Sequence, residues 1–504
     1  MTDTAAGSRP AARLQSIGRS LLDRPALASV ALTAFALFII FAHLGEGHLA
    51  NYDDCYYAQK AKEMIRGGDW ITPHYDGLPA LDNPPLFLWV IAGSFLALGV
   101  RDYAAILGSA LSGVLAVLLL HRIALRLRLG AFPAWCAAFV LLTTQYFLKY
   151  SRHAMFDVFL TLLFLLAIAS YLRAREGHTG AWAWVGLFSG LGVLTKSVLG
   201  FFPLVAIALH LAWTGRAREL ARPRFLLAPL VALATIAPWY LYELAAHGPQ
   251  FREEHIGWLL VQRGLSAKSG EAGWTNYLGY FRDLATLYWP WLPAAAAGVV
   301  IAIGRARRGP EGDTPKLVLL WLLVVIGVMS VGREKKLWYI MSAFPALALA
   351  SSLALERWLR SDAARRRAVA GSAAVLAALA LWLNFGPARH AGTRQPGLYE
   401  IARVASATMP PGARVANYDN GYWSIQNLFF FYSDHSLAQP TAAPDSVRAA
   451  MDRGSFALVA SRRLGEITGG APPRYRVVAR SGDWALMSSG TPVPATVPPV
   501  DPYR

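Results

Sequence analysis

Apolar residues in this chain run in long unbroken blocks, not in the two-residue or three-to-four-residue alternation of a half-buried strand or helix. Blocks of about 15–20 residues, near the length at which a helix crosses bilayer hydrocarbon, cover 26–42, 103–120, 131–148, 155–172, 181–195, 198–213, 225–244, 284–303, 317–331, 337–355 and 368–385. These eleven segments predict a polytopic α-helical membrane protein with about 11–13 transmembrane helices. Segment 84–100 is also apolar, but it is short and opens on Pro84-Pro85. It reads as a re-entrant or interfacial helix, which is tolerated where it packs against protein. Past Gly386 the pattern becomes mixed polar and apolar. Strands are expected at 415–418, 456–461, 475–479 and 484–488, and a helix at 445–451. The domains read as a membrane domain over 1–385 with outer loops 43–102 and 245–283, a small α/β domain over 386–491, and a Pro-rich disordered tail over 492–504.

Composition agrees with the pattern. Of 504 residues, 55% are hydrophobic and only 16% charged, against about 25% charged in a soluble protein, and mean hydropathy is +0.36. A net charge of +17 would suit nucleic acid, but the cations stand in short clusters between apolar blocks, where topology and anionic headgroups call for them. Nucleic-acid binding is therefore excluded as the main role. Cys55 and Cys136 make neither a disulfide framework nor a metal motif. The basic N-terminus with segment 26–42 reads as an uncleaved first helix.

Charge also orients the chain. With the N-terminus inside and 84–100 not spanning, the loops bearing Arg122/Arg126/Arg128, Arg173/Arg175, Arg216/Arg218/Arg222/Arg224, Arg305/Arg307/Arg308 and Arg365/Arg366/Arg367 all lie inside. Four polar patches then fall together on the outer side: 51–83, 149–157, 247–283 and 332–339.

Those patches hold the candidate chemistry, because ionisable groups at membrane depth are costly and are functional suspects by default. Asp53-Asp54 follows the first apolar block and precedes a run with Tyr56, Tyr57, Ala61, Met64 and Ile65 set against Gln59, Lys60, Lys62 and Glu63. A helix cap needs one carboxylate. Asp53 is read as a general base for an acceptor group, and Asp54 as cap or support. Asp157 is either a second cleft carboxylate or an ion-pair partner of Arg152. Asp82-Asn83-Pro84-Pro85 is either a turn into the interfacial helix or a phosphate or metal ligand. His255 in Glu253-Glu254-His255 could join Asp82 or Glu254 at a metal, although a lone histidine is more often structural. Arg333, Lys335 and Lys336, beside Trp338 and Tyr339, run against the inside-positive pattern. They read as a phosphate cradle in preference to snorkelling cations. Lys196 in Thr195-Lys196-Ser197 is another outer cation with the same reading. No Walker loop, dinucleotide-binding glycine turn or Ser-His-Asp order occurs. No nucleotide cofactor is expected, and a donor would have to arrive already activated on a lipid carrier.

These residues resemble the GT-C superfamily of polyprenyl-phosphate-sugar glycosyltransferases, in particular the lipid A aminoarabinose transferases and the protein O-mannosyltransferase family. The shared pattern is Asp53-Asp54-x-x-Tyr57-Ala58, Gly68-Asp69-Trp70, Pro73-His74, Gly77-Leu78 and Asp82-x-Pro84-Pro85. It continues with Asp157 opening a span, Leu194-Thr195-Lys196, Glu254-His255-Ile256, Lys336-Leu337-x-Tyr339-Ile340 and Phe344-Pro345, covering roughly 51–345. The resemblance implies an inverting enzyme of the bacterial inner membrane with its site on the periplasmic face. Such an enzyme moves a sugar from a polyprenyl phosphate to lipid A or another envelope glycolipid. It implies catalytic Asp53 and Asp157 beside Asp54, and a divalent-metal pair at Asp82 and His255. The implied substrate contacts are Tyr57, His74, Asp82, Asn83, Lys196, Arg333, Lys336 and Tyr339. Three departures stand out: Asp54 replaces a usual Glu, Asn83 a common Lys, and Tyr339-Ile340-Met341-Ser342 a Tyr-x-x-Pro pattern. The alternatives are a protein O-mannosyltransferase acting on peptides, and a lipid-linked sugar transporter or flippase. Against the last, the chain has no internal repeat.

Overall fold

The computed structural model describes residues 8–50, 53–262, 278–308, 312–332, 335–386, 395–469 and 474–490. Asn51, Tyr52 and Arg333, and the tail after Gly490, lie outside the described residues. The chain divides into two compact units.

The first unit comprises Met1–Leu44, Ala80–Phe87 and Gly108–Ala388 and is helical. Among the described residues, seven helical stretches are long and apolar enough to cross a membrane, for example Asp102–Arg126, Phe156–Arg175 and Asp362–Phe385. The eleven expected segments are all helical, but several are broken. Segment 26–42 is the 16-residue helix Pro25–Ile40, bent by 109° against the helix before it. Segment 131–148 breaks at Thr144, whose ψ of 116° is extended. The apolar stretch Ala181–Trp213 folds back on itself after Lys196. A Cβ placed on Gly200 would lie 2.0 Å from the Val193 nitrogen, whereas a straight helix would separate these positions by ~10 Å. Leu86–Leu98 has 13 residues, too few to span.

Close helix contacts rest on small residues, as they must where lipid tails remove any hydrophobic drive for helices to associate. Gly186 of Ala181–Lys196 lies against the Ala228 carbonyl of Pro223–Phe251. Gly298 of Leu292–Ala306 lies against the Ala350 carbonyl of Phe344–Trp358. One end of the unit is knitted by arginines: Arg175 and Arg216 both reach Asp313 at 3.0 Å, and Arg126 reaches Glu176 at 3.2 Å. Helix Phe156–Arg175 runs away from that end and places Asp157 ~27 Å from Arg175 along its axis.

The second unit comprises Gly45–Pro79, Leu88–Leu107 and Arg389–Arg504. Most of loop 43–102 thus falls in the same unit as the C-terminal segment. A two-residue hairpin, β1 (His74–Tyr75) and β2 (Leu78–Pro79), turns through Asp76 and Gly77, both at positive φ, as a tight hairpin requires. The C-terminal sheet contains β3 (Val415–Tyr418), β4 (Leu437–Thr441), β5 (Phe456–Ala460), β6 (Tyr475–Ser481) and β7 (Trp484–Ser489), in the order β4-β3-β5-β7-β6. β3 is parallel to β4 and β5, while β7 is antiparallel to both its neighbours. The sequence reading missed β4, whose Leu-Ala-Gln-Pro-Thr lacks apolar alternation; it is an edge strand, where Pro440 is tolerated. It also missed helices Pro396–Thr408 and Tyr422–Ser433.

Candidate active site

In the first unit, three of the expected residues meet at the reversal after helix Ala181–Lys196. Lys196 Nζ donates to Asp157 Oδ1 at 2.5 Å. It also stands 4.8 Å from the Phe156 ring centroid and 4.6 Å from that of Tyr339. The Asp157 side chain is 1% exposed and that of Lys196 14%. An ammonium is therefore held on three sides by a carboxylate and two aromatic faces, with a small opening left to solvent. Asp157 sits in the first turn of Phe156–Arg175, where the helix dipole favours a carboxylate. Arg152 donates to the carbonyls of Ile39 at 3.0 Å and Ala42 at 2.6 Å, closing off the end of the first long helix.

The aromatic wall continues. Trp338 lies 6.0 Å from Tyr339 and 5.6 Å from Tyr150, and Tyr150 lies 5.6 Å from His153. Lys336 stands 5.7 Å from the Trp338 ring, and Lys149 5.2 Å from that of Tyr150. These cations are half-buried and stand over aromatic faces, which favour a positive charge. Sequence reasoning named Lys336 and Tyr339 but missed Phe156, Tyr150 and Lys149. Their only signal was an aromatic and basic density in 146–156.

Ser197 follows Lys196 at φ 47° and ψ −134°, a conformation costly for any residue but glycine. Its Oγ lies 3.1 Å from His255 Nε2, and Tyr240 Oη also lies 3.1 Å from that nitrogen. His255 Nδ1 meets the Leu81 carbonyl at 2.8 Å. The ring is fully buried, stacked on Phe251 at 5.0 Å and edge-on to Trp239 at 5.5 Å. The residue beyond Leu81 is Asp82, which accepts from the Asn83 amide at 2.6 Å. Asp82 and His255 do not fit a divalent ion as they stand. Both histidine nitrogens are engaged, and among the described residues no three His, Cys, Asp or Glu side chains gather as a ligand set.

The remaining expected residues belong to the second unit. Asp53 is half-buried in the first turn of helix Asp53–Gly67, and Asp54 is buried and accepts from the Ala50 nitrogen at 3.3 Å. Tyr57 is buried. His74 is half-buried, and its Nδ1 meets the Thr72 carbonyl at 2.9 Å. Gly68-Asp69-Trp70 makes a turn: Asp69 accepts from the nitrogens of Ile71 and Thr72, and Trp70 offers its carbonyl to Trp89.

Three polar side chains of this helix are withdrawn from solvent. Gln59, Lys60 and Lys62 are all buried. Lys62 pairs with Asp434 at 2.5 Å and donates to the Phe431 carbonyl at 2.9 Å, and Arg66 grips the same carboxylate at 2.7 and 3.0 Å. Burial lowers the Lys62 pKa, against the pull of Asp434. At Asp434, burial acts upward but is outweighed by the Arg66 hydrogen bond and the Lys62 charge, so the carboxyl lies below its usual range. Asp434 adopts φ 62° at the end of helix Tyr422–Ser433, a position usually given to glycine.

With this geometry in view, the chain can be set beside known proteins. The family model for dolichyl-phosphate-mannose-protein mannosyltransferase matches residues 82–242. An undecaprenyl phosphate-α-4-amino-4-deoxy-L-arabinose arabinosyl transferase of Pseudomonas fluorescens is 30% identical over 347 residues, 67% of this chain and 57% of the relative. Its counterpart in Pseudomonas aeruginosa is 30% identical over 349 residues, 67% of this chain and 61% of the relative. The chain thus matches about three fifths of the length of these curated relatives. In structure, it superposes on ArnT from Cupriavidus metallidurans, crystallised with undecaprenyl phosphate. The TM-score is 0.70 at 19% identity, over 91% of this chain and 97% of that one. The chain therefore has the fold of the ArnT structure, and over 67% of its length it resembles the aminoarabinose transferases in sequence.

Proposed function

We propose that this chain is an inverting glycosyltransferase of the bacterial inner membrane. It takes a sugar from a polyprenyl phosphate and passes it to lipid A or another envelope glycolipid at the periplasmic face. The observation that carries the reading is Lys196, fixed by Asp157 between Phe156 and Tyr339. A preset cation in a nearly dry aromatic setting suits a phosphate on which charge develops as it departs, and it costs little reorganisation during the reaction. The names of the similar proteins support the same donor class. The periplasmic assignment is supported by charge, since the arginine-rich end of the first unit lies at the far end of the Asp157 helix.

In this mechanism an acceptor oxygen attacks the anomeric carbon opposite the phosphate. The carbon–oxygen bond to phosphate breaks, and its electron pair leaves with the polyprenyl phosphate beside Lys196, with Lys336 and Lys149 as further cations along the wall. Asp53 receives the acceptor proton or orients an acceptor already ionised. Asp157 is too enclosed to exchange protons with substrate and instead holds Lys196. A metal at Asp82 and His255 takes no part in these steps.

The test is mass spectrometry of envelope lipids from deletion cells carrying either the native gene or Asp53→Asn. A sugar-sized mass increment on lipid A or another glycolipid should appear with the native gene and vanish with the variant at equal expression. Persistence of the increment with Asp53→Asn would refute the role of Asp53. The family match over 82–242 favours a peptide acceptor as second reading; modified membrane proteins with unchanged glycolipids would select it.

A further inference from the structure

We propose that His255 works as a metal-free clamp that holds the Lys196–Ser197 corner in its strained conformation. This rests on reading Lys196 as the cation for the donor phosphate. The argument starts from the tautomer. The Leu81 carbonyl can only accept, so Nδ1, at 2.8 Å, carries the proton. Nε2 of the neutral ring is then an acceptor. An Nδ1–H bonded to a backbone carbonyl would equally suit a metal ligand, so what faces Nε2 decides the matter. Two hydroxyls face it, Ser197 Oγ and Tyr240 Oη, each at 3.1 Å. Asp82 is close enough for its charge to act on the ring, but one carboxylate and one histidine nitrogen beside two neutral hydroxyls are a poor donor set for zinc, which takes thiolate, imidazole and carboxylate, and among the described residues no third such ligand joins them. The ring is fully buried and packed on Phe251 and Trp239, so neither water nor an exchanging ion reaches it in this arrangement.

The clamp also accounts for a residue that is otherwise out of place. A serine at φ 47° and ψ −134° stores strain that glycine would not. Its hydroxyl, bonded to a histidine that is itself anchored to Leu81, offsets that strain and fixes the direction in which the preceding residue leaves the helix. That residue is Lys196, whose Nζ must reach Asp157 Oδ1. Ser197 and His255 are therefore positioning residues.

The experiment uses the full chain purified in detergent, with metal content measured by mass spectrometry and transfer assayed before and after EDTA. The clamp requires well under one equivalent of zinc or other divalent metal and activity indifferent to EDTA. His255→Asn, which retains a donor for Leu81 but loses Nε2, should lower kcat ~10- to 100-fold with acceptor KM unchanged, as expected for ångström-scale misplacement. Ser197→Ala should fall equally, and the double variant no further, since both act through one bond. His255→Gln, which can present an acceptor where Nε2 stood, should recover part of the loss. One equivalent of bound metal that His255→Asn removes, or activity abolished by EDTA and restored by zinc, overturns the clamp, as do losses that multiply in the double variant. If the native chain transfers no sugar, the functional reading fails while the clamp remains testable. Metal content, and non-additive thermal destabilisation by Ser197→Ala and His255→Asn, then decide it.

Discussion

Removing the charge of Lys196 while keeping its stem, as in Lys196→Met, isolates what the Asp157 pair does. The carboxylate of Asp157 is 1% exposed and accepts from Lys196 Nζ at 2.5 Å. Alone, it would be a buried charge without its counter-ion. Breaking such a pair from one side costs ~3–5 kcal/mol; with Lys196 14% exposed, water can partly replace it, which favours ~3 kcal/mol. Replacing both partners, Lys196→Met with Asp157→Asn, removes both charges, and a paired replacement of this kind is often close to neutral. Unfolding titrations in mixed detergent and SDS micelles should therefore show both single variants destabilised and the double variant restored to within ~1 kcal/mol of the native chain. Transfer should behave differently. Losing one positioned electrostatic donor costs ~10²–10³ in kcat, and the double variant should remain as inactive as Lys196→Met. If activity returns in the double variant together with stability, the pair is scaffolding and the phosphate reading of Lys196 is wrong.

Further outcomes follow from other parts of the structure. Gly298→Ala would set a Cβ 1.8 Å from the Ala350 carbonyl oxygen, so two packed helices must move apart, at a cost of ~1–3 kcal/mol. Gly304→Ala in the same helix meets nothing within 4 Å and should be neutral or slightly stabilising in the same titration. In the C-terminal sheet unit, hydrogen bonds from Arg463 and Tyr418 pull Glu466 down to about 2. Its contribution is complete above the ordinary Glu range and lost as pH falls from ~4.3 towards 2. Proteolysis of this unit should rise over that window, and less steeply in Glu466→Gln; an unchanged profile would refute the linkage. Asp434, likewise held low, adds loss in the same direction. For orientation, both native cysteines are buried, so background labelling by an impermeant maleimide should be low. A cysteine at the exposed Asp76 should react in intact spheroplasts, and one at the exposed Arg218 only after permeabilisation. The reverse pattern would invert the proposed topology.

The apolar blocks were legible because a helix surrounded by lipid or by other helices needs hydrophobic side chains on all faces, and that need is written locally. Asp157, Lys196 and Tyr339 were each visible as ionisable or aromatic residues where apolar blocks end. Their meeting was not, since it depends on the reversal at Ser197 and on Gly200 lying against Val193. The alternatives left open for His255 turn on Ser197 and Tyr240, which stand 3.1 Å from its Nε2 and carry no signal in the sequence. Helix Asp53–Gly67 shows how far a local pattern reaches. Its amphipathic pattern correctly marked a helix, but the polar face meets Asp434 and the Phe431 carbonyl instead of water. No local pattern can distinguish a lysine that faces solvent from one whose partner lies at the other end of the chain.

That separation has a consequence in time. Arg66 and Asp434, which close one face of the Asp53 helix, are 368 positions apart. At about 5–20 residues per second, roughly 20–70 s of synthesis pass between them. Through that interval the helix bearing the proposed base has emerged, while the carboxylate that will hold Lys62 and Arg66 does not yet exist. The membrane helices can insert one after another as they are made, but this helix must wait for the C-terminal segment. The face of this helix that carries Lys62 and Arg66 is thus completed only once Asp434 has been made.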